Sequence, residues 1–263
     1  RWAPRCTSLV QQCRRRLGPR MNVLLISAFR NSSRAHIDRW HAQTGQLGNA
    51  LYPVNRTRLS TLAVEGDSAN PTYEMLKSRI EKGRGERTSR WLTQYHHNGP
   101  HFGSVESAER MTQLSLVADH WLDYIRRCHM LSSSDVVIYV ESDLIWEAST
   151  MVALIDALAG TTEYDVVSPL VFAGEHFYDV WGFRGLDGSQ FAPFPPYHSS
   201  IPISADPHLV EVSSIGSCVA FRPVVATSAP SMSGGAFVGW CANVRAAGHR
   251  IAVAPSLRIH HPA

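Results

Sequence analysis

The stretch DVVIYVESDLIW, from Asp135 to Trp146, decides the fold class of this chain. Its first half, residues 136–140, is apolar and rich in β-branched side chains, which is typical of a strand buried on both faces. The run ends abruptly at Glu141, Ser142 and Asp143. Two carboxylates therefore stand directly after a buried strand, and this placement needs a physical reason.

Short apolar runs of this kind alternate with longer segments of helical period from Met21 onward. The strand-like runs are NVLLIS, RLSTLAVEG, WLTQYHH, DVVIYVES, DVVSPLVF, VEVSSIGSCVAF and RIAVAPSLRIHH. The helical segments are RAHIDRWHAQTGQL, PTYEMLKSRIEKG, VESAERMTQLSLVADHWLDYIRRC, EASTMVALIDALAG and GWCANVRAAG. The alternation predicts an α/β fold in which a mostly parallel, doubly wound sheet carries helices on both faces. We expect residues 21–263 to form a single domain.

The composition, with 44% hydrophobic and 18% charged residues among 263, is that of a soluble globular protein. The formal net charge is only +3, and the basic excess lies in the first twenty residues. That balance gives no electrostatic case for strong binding of nucleic acid. We expect residues 1–20 to be a basic tail outside the fold, with Met21 as the natural start. The alternative is a tail with a function of its own.

The cysteines and the apolar runs indicate a compartment. The five cysteines form no CxxC pair, so the sequence indicates neither a disulfide framework nor a zinc site; they are Cys6, Cys13, Cys128, Cys218 and Cys241. No apolar run approaches the roughly 18 to 20 residues that span a bilayer, and the N-terminus lacks the apolar centre of a signal peptide. These features predict a soluble cytoplasmic protein without a membrane partner.

The acidic strand end allows two interpretations. Ligands of open α/β sheets bind beyond the carboxyl ends of the strands, and the spacing of Glu141 and Asp143 points both side chains the same way on an extended chain. That arrangement suits a hard divalent cation. Alternatively, Ser142 or Asp143 caps a helix that begins near Glu147.

The order of several motifs resembles a known fold family. LLISAFRNSSRAH, LAVEGDSANPTYEML and YHHNGPHFGSVESAERM precede the acidic strand end, as in the nucleotide-sugar half of the GT-A glycosyltransferases. EVSSIGSCVAFRPVV resembles their acceptor-side strand and turn, and GWCANVRAAGHRIAVAPSLRIHHP resembles their closing helix, strand and terminal histidine. Within that fold, FYDVWGFRGLDG and the closing IHHP look most like the fungal capsule-associated α-mannosyltransferase family and bacterial or phage relatives of it.

The resemblance implies a metal site. Asp143 corresponds to the metal-binding carboxylate of the family's DxD motif, and Glu141 stands where the first Asp usually faces the ribose or the metal. Glu for Asp is a departure from the pattern that leaves the role of Glu141 open. His261 corresponds to a histidine that reaches the metal, with its neighbour His260 as the alternative. The implied cofactor is Mn²⁺ or Mg²⁺.

The resemblance also implies residues that hold the donor. The nucleoside would be held from two loops, by Ser27, Phe29 and Arg30 on the first and by Glu65 and Asp67 on the second. Arg110, on the helix after the third strand, would reach a phosphate. Simpler roles remain open: an Asx-type turn for Asp67, a solvated surface charge for Arg30 and a helix-surface ion pair for Arg110.

The catalytic base has no obvious candidate. Inverting members of the fold usually carry an acidic residue just before the closing helix, but residues 234–240 read GGAFVGW. Either Asp179 or Asp187 of the aromatic loop, residues 175–207, supplies the base, or the enzyme is retaining, as the fungal family is. Three aromatic residues of this loop either stack on a sugar or form the packed core of the loop; they are Tyr178, Trp181 and Phe183.

We therefore predict a metal-dependent glycosyltransferase that moves a sugar from a nucleoside diphosphate sugar to an acceptor. By resemblance the expected transfer is of mannose from GDP-mannose, with retention. The acceptor is a glycan, a protein or, for a phage-encoded enzyme, a modified DNA base. A nucleotidyltransferase is one alternative, although SAFRNSS lacks the Gly and Lys of its usual loop. A non-catalytic nucleotide-sugar binder is the other.

Overall fold

The computed structural model describes residues 21–53, 57–82, 88–96, 99–100, 107–201, 208–232 and 236–262. The expected basic tail, residues 1–20, lies outside the described residues, as does part of the aromatic loop, residues 202–207. None of the helices in the described ranges is both long enough and apolar enough to cross a membrane.

Strands and helices alternate through most of the described chain, as the sequence predicted. The strands are β1 (Asn22–Phe29), β2 (Arg58–Glu65), β3 (Thr88–Gln94), β4 (Val136–Val140), β5 (Val166–Ala173), β6 (His176–Phe177), β7 (Val210–Val212), β8 (Cys218–Phe221) and β9 (Ile251–His260). The helices are α1 (Arg34–Leu51), α2 (Thr72–Lys82), α3 (Ala108–Arg127), α4 (Ala148–Ala159), α5 (Pro223–Ser228) and α6 (Ala236–Ala246).

All the strands belong to one sheet in the order β3-β2-β1-β4-β8-β5-β9-β7, with β6 paired to β5. The strands from β3 to β4 are parallel, and β5 is parallel to β9. β8 runs antiparallel between β4 and β5, and β7 runs antiparallel at the edge. The α/β fold class is confirmed, and the sheet is a parallel half joined through β8 to a mixed half.

Side chains alternate between two cores because successive residues of a strand point to opposite faces of the sheet. On one face Leu24 and Ile26 of β1 belong to a cluster that includes Trp121 of α3 and Trp240 of α6. On the other face a separate cluster joins β1 to α1 and α4, with Met151 as one of its members. Helices therefore cover both faces, as a doubly wound sheet requires.

The segment VEVSSIGSCVAF differs from its prediction as one strand. Val210–Val212 forms β7 beside β9, whereas Cys218–Phe221 forms β8 between β4 and β5. The intervening residues 213–217 leave the sheet and run beside the aromatic loop, where Arg184 N donates to Ser214 O and Ser213 N donates to Arg184 O. Because these five residues leave the sheet, their backbone and side-chain groups can contribute to a site beyond the carboxyl end of β4.

Ser27 and Phe29 were expected on the first loop, but both lie inside β1 and are buried. The Ser27 Oγ accepts a hydrogen bond of 3.0 Å from Nε1 of Trp40, itself 1% exposed. Ser27 is therefore a packing residue of the α1 side of the sheet.

We expect Ser27→Ala to lower the free energy of unfolding by about 1–3 kcal/mol, because the buried indole N–H loses its acceptor. Chemical denaturation measures this change. In a Trp40→Phe background the same substitution should cost clearly less, since the donor is already gone. Equal costs in both backgrounds would mean that this hydrogen bond does not stabilise the fold.

Candidate functional site

The acidic strand end lies where the parallel half of the sheet meets β8. Beyond the last residue of β4, Glu141 N donates a hydrogen bond of 2.9 Å to the carbonyl of Ser217, which precedes β8. Asp143 follows two residues later, and its own carbonyl accepts from the Arg39 guanidinium of α1 at 3.0 Å. Both carboxylates are thereby held beyond the carboxyl ends of the parallel strands, where ligands of α/β proteins bind.

The helix-capping interpretation is wrong. α4 begins at Ala148, and its N-cap is Glu147, which makes no side-chain cap hydrogen bond. Asp143 lies before that cap, and its Oδ1 is a buried oxygen without a hydrogen-bond partner. A buried carboxylate oxygen without a donor is costly unless a ligand occupies it. The Asp143 Oδ1 is thus an unpaired oxygen that a ligand could occupy.

His261 is brought to Asp143 from the other end of the chain. Its Nε2 lies 3.3 Å from Asp143 Oδ2, and its backbone N–H donates to the carbonyl of Phe172 at 2.7 Å. The imidazole stacks on Tyr178, with ring centroids 4.0 Å apart and planes 14° apart. His260 is exposed, and its backbone pairs with Ile145 instead. Of the two histidines, His261 is the one whose ring faces the strand-end carboxylate.

A divalent cation fits this pair. Neighbouring ligands of an octahedral ion, each about 2.1 Å from it, lie about 3 Å apart, close to the separation of His261 Nε2 and Asp143 Oδ2. Imidazole beside carboxylate suits Mn²⁺ and related ions. Within the described ranges no cluster of three or more histidine, cysteine or acidic residues could hold a metal. From the described part of the chain, Asp143 and His261 would then be two of the ligands, and substrate oxygens and water could supply others.

Glu141 lies between these groups and the aromatic loop. Its pKa is raised to about 8, first because the carboxyl is buried and then because Asp143 and Asp179 are nearby; a hydrogen bond with Ser217 and the charge of Arg110 oppose the shift. Two further acids so close to Glu141 concentrate negative charge at this end of the strands. Binding of a cation, or protonation of one of the carboxylates, would relieve the repulsion between them.

Asp179 is the aromatic-loop carboxylate that the structure brings into the site. Its Oδ2 accepts from Ser217 N at 2.7 Å and its Oδ1 accepts from Ser217 Oγ at 2.9 Å. Burial raises the pKa of Asp179, and the two hydrogen bonds from Ser217 oppose that shift. Gly216 leaves room for the carboxylate, since a Cβ there would lie within 2.6 Å of both its oxygens. Ser217 was not predicted from the sequence.

Asp187, the other aromatic-loop candidate, lies elsewhere. Its Oδ1 accepts from Ser189 N at 2.9 Å and from Ser189 Oγ at 2.6 Å, and it is 3.6 Å from Nε2 of His198. These Ser189 hydrogen bonds lower its pKa. Asp187 lines neither of the cavities described below. The structure does not bring it together with Asp143.

Two adjoining cavities open on either side of Glu141. The first, of about 390 Å³, lies toward the ends of β1 and β2 and includes Asp143; it is lined by Ala28, Phe29, Arg30, Asn31, His36, Gly66, Arg110, Gln113, Leu114, Val117, Tyr139, Glu141, Ser142 and Asp143. The second, of about 440 Å³, lies toward the aromatic loop and α6 and includes Asp179 and His261. Arg110, Leu114 and Glu141 line both. The two cavities thus meet at Glu141, with Asp143 in the first and His261 in the second.

The residues predicted to hold the donor, its nucleoside or its phosphates, are only partly in the first cavity. Phe29, Arg30 and Arg110 line it, whereas Ser27 does not. Glu65 is 1% exposed and accepts from Ser68 N and Gln94 Nε2, so both its oxygens are hydrogen-bonded within the protein. Asp67 takes a left-handed conformation at φ +60°, and its Oδ1 lies 3.3 Å from His96 Nδ1. These contacts favour a structural role for Glu65 and a turn at Asp67.

Sequence reasoning missed His36, on the first turns of α1. Its ring hydrogen-bonds the Ser142 backbone, and its Nε2 is buried in the first cavity without a partner. Burial lowers the pKa of His36 against the opposing influence of Ser142 and Asp143. A neutral imidazole held in this way offers Nε2 as an acceptor. The motif NSSRAH contains no spacing that would have singled it out.

Comparison with known proteins supports the fold. No protein-family model matches the chain, and no curated protein matches it. A solved structure of GalNAc-T7 with UDP, GalNAc and Mn²⁺ superposes with a TM-score of 0.57 at 10% identity, over 92% of this chain and 44% of that one. The chain therefore spans less than half the length of that protein. At this identity the likeness establishes an α/β fold of the GT-A type.

Two further solved structures are similar at lower scores. A mannosyltransferase of Pyrobaculum calidifontis in complex with GDP-Man and Mn²⁺ gives a TM-score of 0.49 at 12% identity, over 97% of this chain and 63% of that one. A mycobacterial protein gives 0.49 at 14% identity, over 99% and 73%. The resemblance to the fungal family has no match of its own and stays a prediction.

Proposed function

We propose that this chain is a metal-dependent glycosyltransferase that moves a sugar from a nucleoside diphosphate donor to an acceptor. The observation that carries the proposal is the pairing of Asp143 with His261 at the point where two cavities meet. The orphaned Oδ1 of Asp143 supports a ligand at that point. The GT-A fold raises the expectation of such chemistry without establishing it.

Asp143 and His261 are the residues proposed to hold the divalent cation. When bound there, Mn²⁺ or Mg²⁺ would neutralise the diphosphate of the donor and stabilise the leaving group. Arg110, in the first turn of α3 and lining both cavities, is placed to pair with phosphate oxygens. Glu141 lies between the cavities, beside the region where the sugar would pass from one to the other.

The first cavity is proposed to hold the nucleoside. Besides Oδ1 of Asp143, two potential acceptor atoms there are buried without a hydrogen-bond partner, Nε2 of His36 and Oε1 of Gln113. Both can accept hydrogen bonds, which ribose hydroxyls and base N–H groups can donate. Phe29 and Val117 give the cavity an apolar surface on which a flat base can pack. GDP-mannose is the first donor to test, because it is the one that the sequence resemblance implies.

The proposal includes transfer with retention. The segment GGAFVGW, most of which forms the start of α6, supplies no carboxylate. Asp179 accepts two hydrogen bonds from Ser217, so its carboxylate is held in place and each of its oxygens already accepts one hydrogen bond. Nuclear magnetic resonance of the first-formed product tests this part, since the anomeric configuration of product and donor will match for a retaining enzyme.

We expect one nucleoside diphosphate to raise the melting temperature when Mn²⁺ is present and to have little effect in EDTA. A ligand at 100 times its Kd stabilises the native state by about 2.7 kcal/mol. The measurement is a thermal-shift panel with UDP, GDP, CDP and ADP, followed by hydrolysis and transfer assays with sugars of the nucleotide that binds. Pyrophosphate release from a nucleoside triphosphate would identify a nucleotidyltransferase. Binding without hydrolysis or transfer would identify a non-catalytic binder.

A further inference from the structure

The second cavity has an unusual rim. Three separate segments, α3, the aromatic loop and α6, bring large apolar side chains to its mouth that are more than a third exposed: Leu114 at 38%, Tyr178 at 37%, Trp181 at 43% and Val238 at 37%. Exposed apolar side chains are normally scattered singly over a surface. Their convergence on one cavity indicates a ligand-binding role.

The less exposed lining of the same cavity, which we call its floor, includes polar groups beside Met111, Val180 and Phe237. Glu141 and Asp179 present carboxyl groups there, and Arg110 and Ser217 also line it. A volume of about 440 Å³ lies within the range of small-molecule sites. A ligand that matches both ends has a polar, hydroxyl-bearing part at the floor and an apolar part at the rim.

We propose that the acceptor is an amphipathic alcohol whose accepting hydroxyl is carried next to a flat apolar group, such as an aryl ring. This inference rests on the proposed function and names the acceptor class for that site. The hydroxyl-bearing part lies at the floor near Glu141 and Asp179. The flat group packs at the rim against Trp181, whose exposed indole is suited to stacking.

The alternative acceptors fit these surfaces less well. An unsubstituted glycan is polar throughout, so it would leave the rim side chains with little apolar area to bury. A DNA strand would bring phosphates toward the two carboxyl groups of the floor, and the one arginine among the described lining residues is shared with the donor cavity. The apolar rim and the acidic floor therefore favour an aryl-bearing acceptor over an unsubstituted glycan and over DNA.

Paired probes test the acceptor class. Phenyl and methyl glycosides of mannose, galactose and glucose offer the same hydroxyls with and without a flat apolar group. Their affinities are measured by calorimetry on the full chain, with and without nucleoside diphosphate and Mn²⁺. We expect at least one phenyl glycoside to bind at least ten-fold more tightly than its methyl counterpart, because only the former covers the rim.

Variants assign that preference to the rim. Trp181→Ala should weaken phenyl glycoside binding at least ten-fold without changing methyl glycoside binding, and Trp181→Phe should restore part of the loss. Trp91→Ala is the matched control: this tryptophan is 46% exposed on β3 and lines neither cavity, so its removal should change nothing. The melting temperature of each variant shows whether it is folded.

Several results would overturn the inference. They are equal affinities within every pair, no measurable binding of any phenyl glycoside, and an equal loss in Trp91→Ala. Trp181-dependent sedimentation with phosphatidylcholine vesicles, without a preference for phenyl glycosides, would assign the rim to a membrane surface instead. Failure of the proposed function is distinguishable, because it appears as absent Mn²⁺-dependent nucleotide binding, whereas the phenyl preference is also measured without nucleotide.

Discussion

Asp143→Asn is expected to abolish Mn²⁺-dependent binding of the nucleoside diphosphate while the fold stays intact. The amide keeps the size of the side chain but removes the charge that attracts the cation. Charge attraction at a partly buried site is worth several kcal/mol, so the affinity should fall on the order of 100-fold or more. The fold should survive because Asp143 does not cap α4, and the Arg39 contact is made by its backbone carbonyl.

The measurement is nucleotide affinity as a function of Mn²⁺ concentration. His261→Ala should move the activation curve to higher Mn²⁺ without removing it, since one of two protein ligands remains. His260→Ala is the matched control and should follow the parent protein, because that side chain is exposed beyond the site. If Asp143→Asn binds nucleotide with unchanged Mn²⁺ dependence, the strand-end acids do not hold a metal and the proposed function loses its main support.

The second large effect is expected at Gly216, where alanine should reduce sugar transfer about 100-fold with little change in nucleotide affinity. The added Cβ would lie within 2.6 Å of both carboxylate oxygens of Asp179 and force that side chain out of place. The two hydrogen bonds from Ser217 would break. Displacement of a reacting or positioning group by about 1 Å can cost this much in rate.

Gly45→Ala is the control for this substitution. Gly45 lies in α1, and a Cβ there would meet nothing within 4 Å. This change should leave activity unaltered and stabilise the helix by about 0.5–1 kcal/mol. Gly216→Ala should instead destabilise the fold by about 1–3 kcal/mol, because the half-buried Asp179 carboxylate loses its donors. Transfer at the parental rate in Gly216→Ala would show that the anchored position of Asp179 is not needed.

Much of the fold could be predicted because it follows from local patterns. The apolar runs of β1 and β4 consist of consecutive residues, and a helical period indicates α1, α3 and α4. The strand-end position of Glu141 and Asp143 follows from the same pattern. These patterns predict the residues of β8 as part of a strand, but they do not separate β8 from β7 or predict its antiparallel place between β4 and β5, because that place depends on pairing with segments distant along the chain.

The candidate site was predicted in part for a similar reason. Arg110 and Asp179 were named as candidates, and the structure brings both to the acids that follow β4. Ser217 and His36 were missed because their roles arise from contacts across the sheet edge, which no spacing in SSIGS or NSSRAH encodes. Conversely, Ser27 and Glu65 have polar side chains at plausible positions, but their hydrogen bonds are satisfied by Trp40, Ser68 and Gln94 within the fold.

The sequence by itself determined that an acidic group follows a buried strand, because burial and period are properties of neighbouring residues. It left open whether Asp143 caps a helix or binds a ligand, since both need a carboxylate just before a helical segment. Only the tertiary structure excluded the cap. The chain folds so that Glu147 takes the N-cap, and the end of β9 brings His261 to Asp143 while one oxygen of that carboxylate stays unpaired. Such an encounter depends on the order of strands in the sheet, which local patterns do not contain.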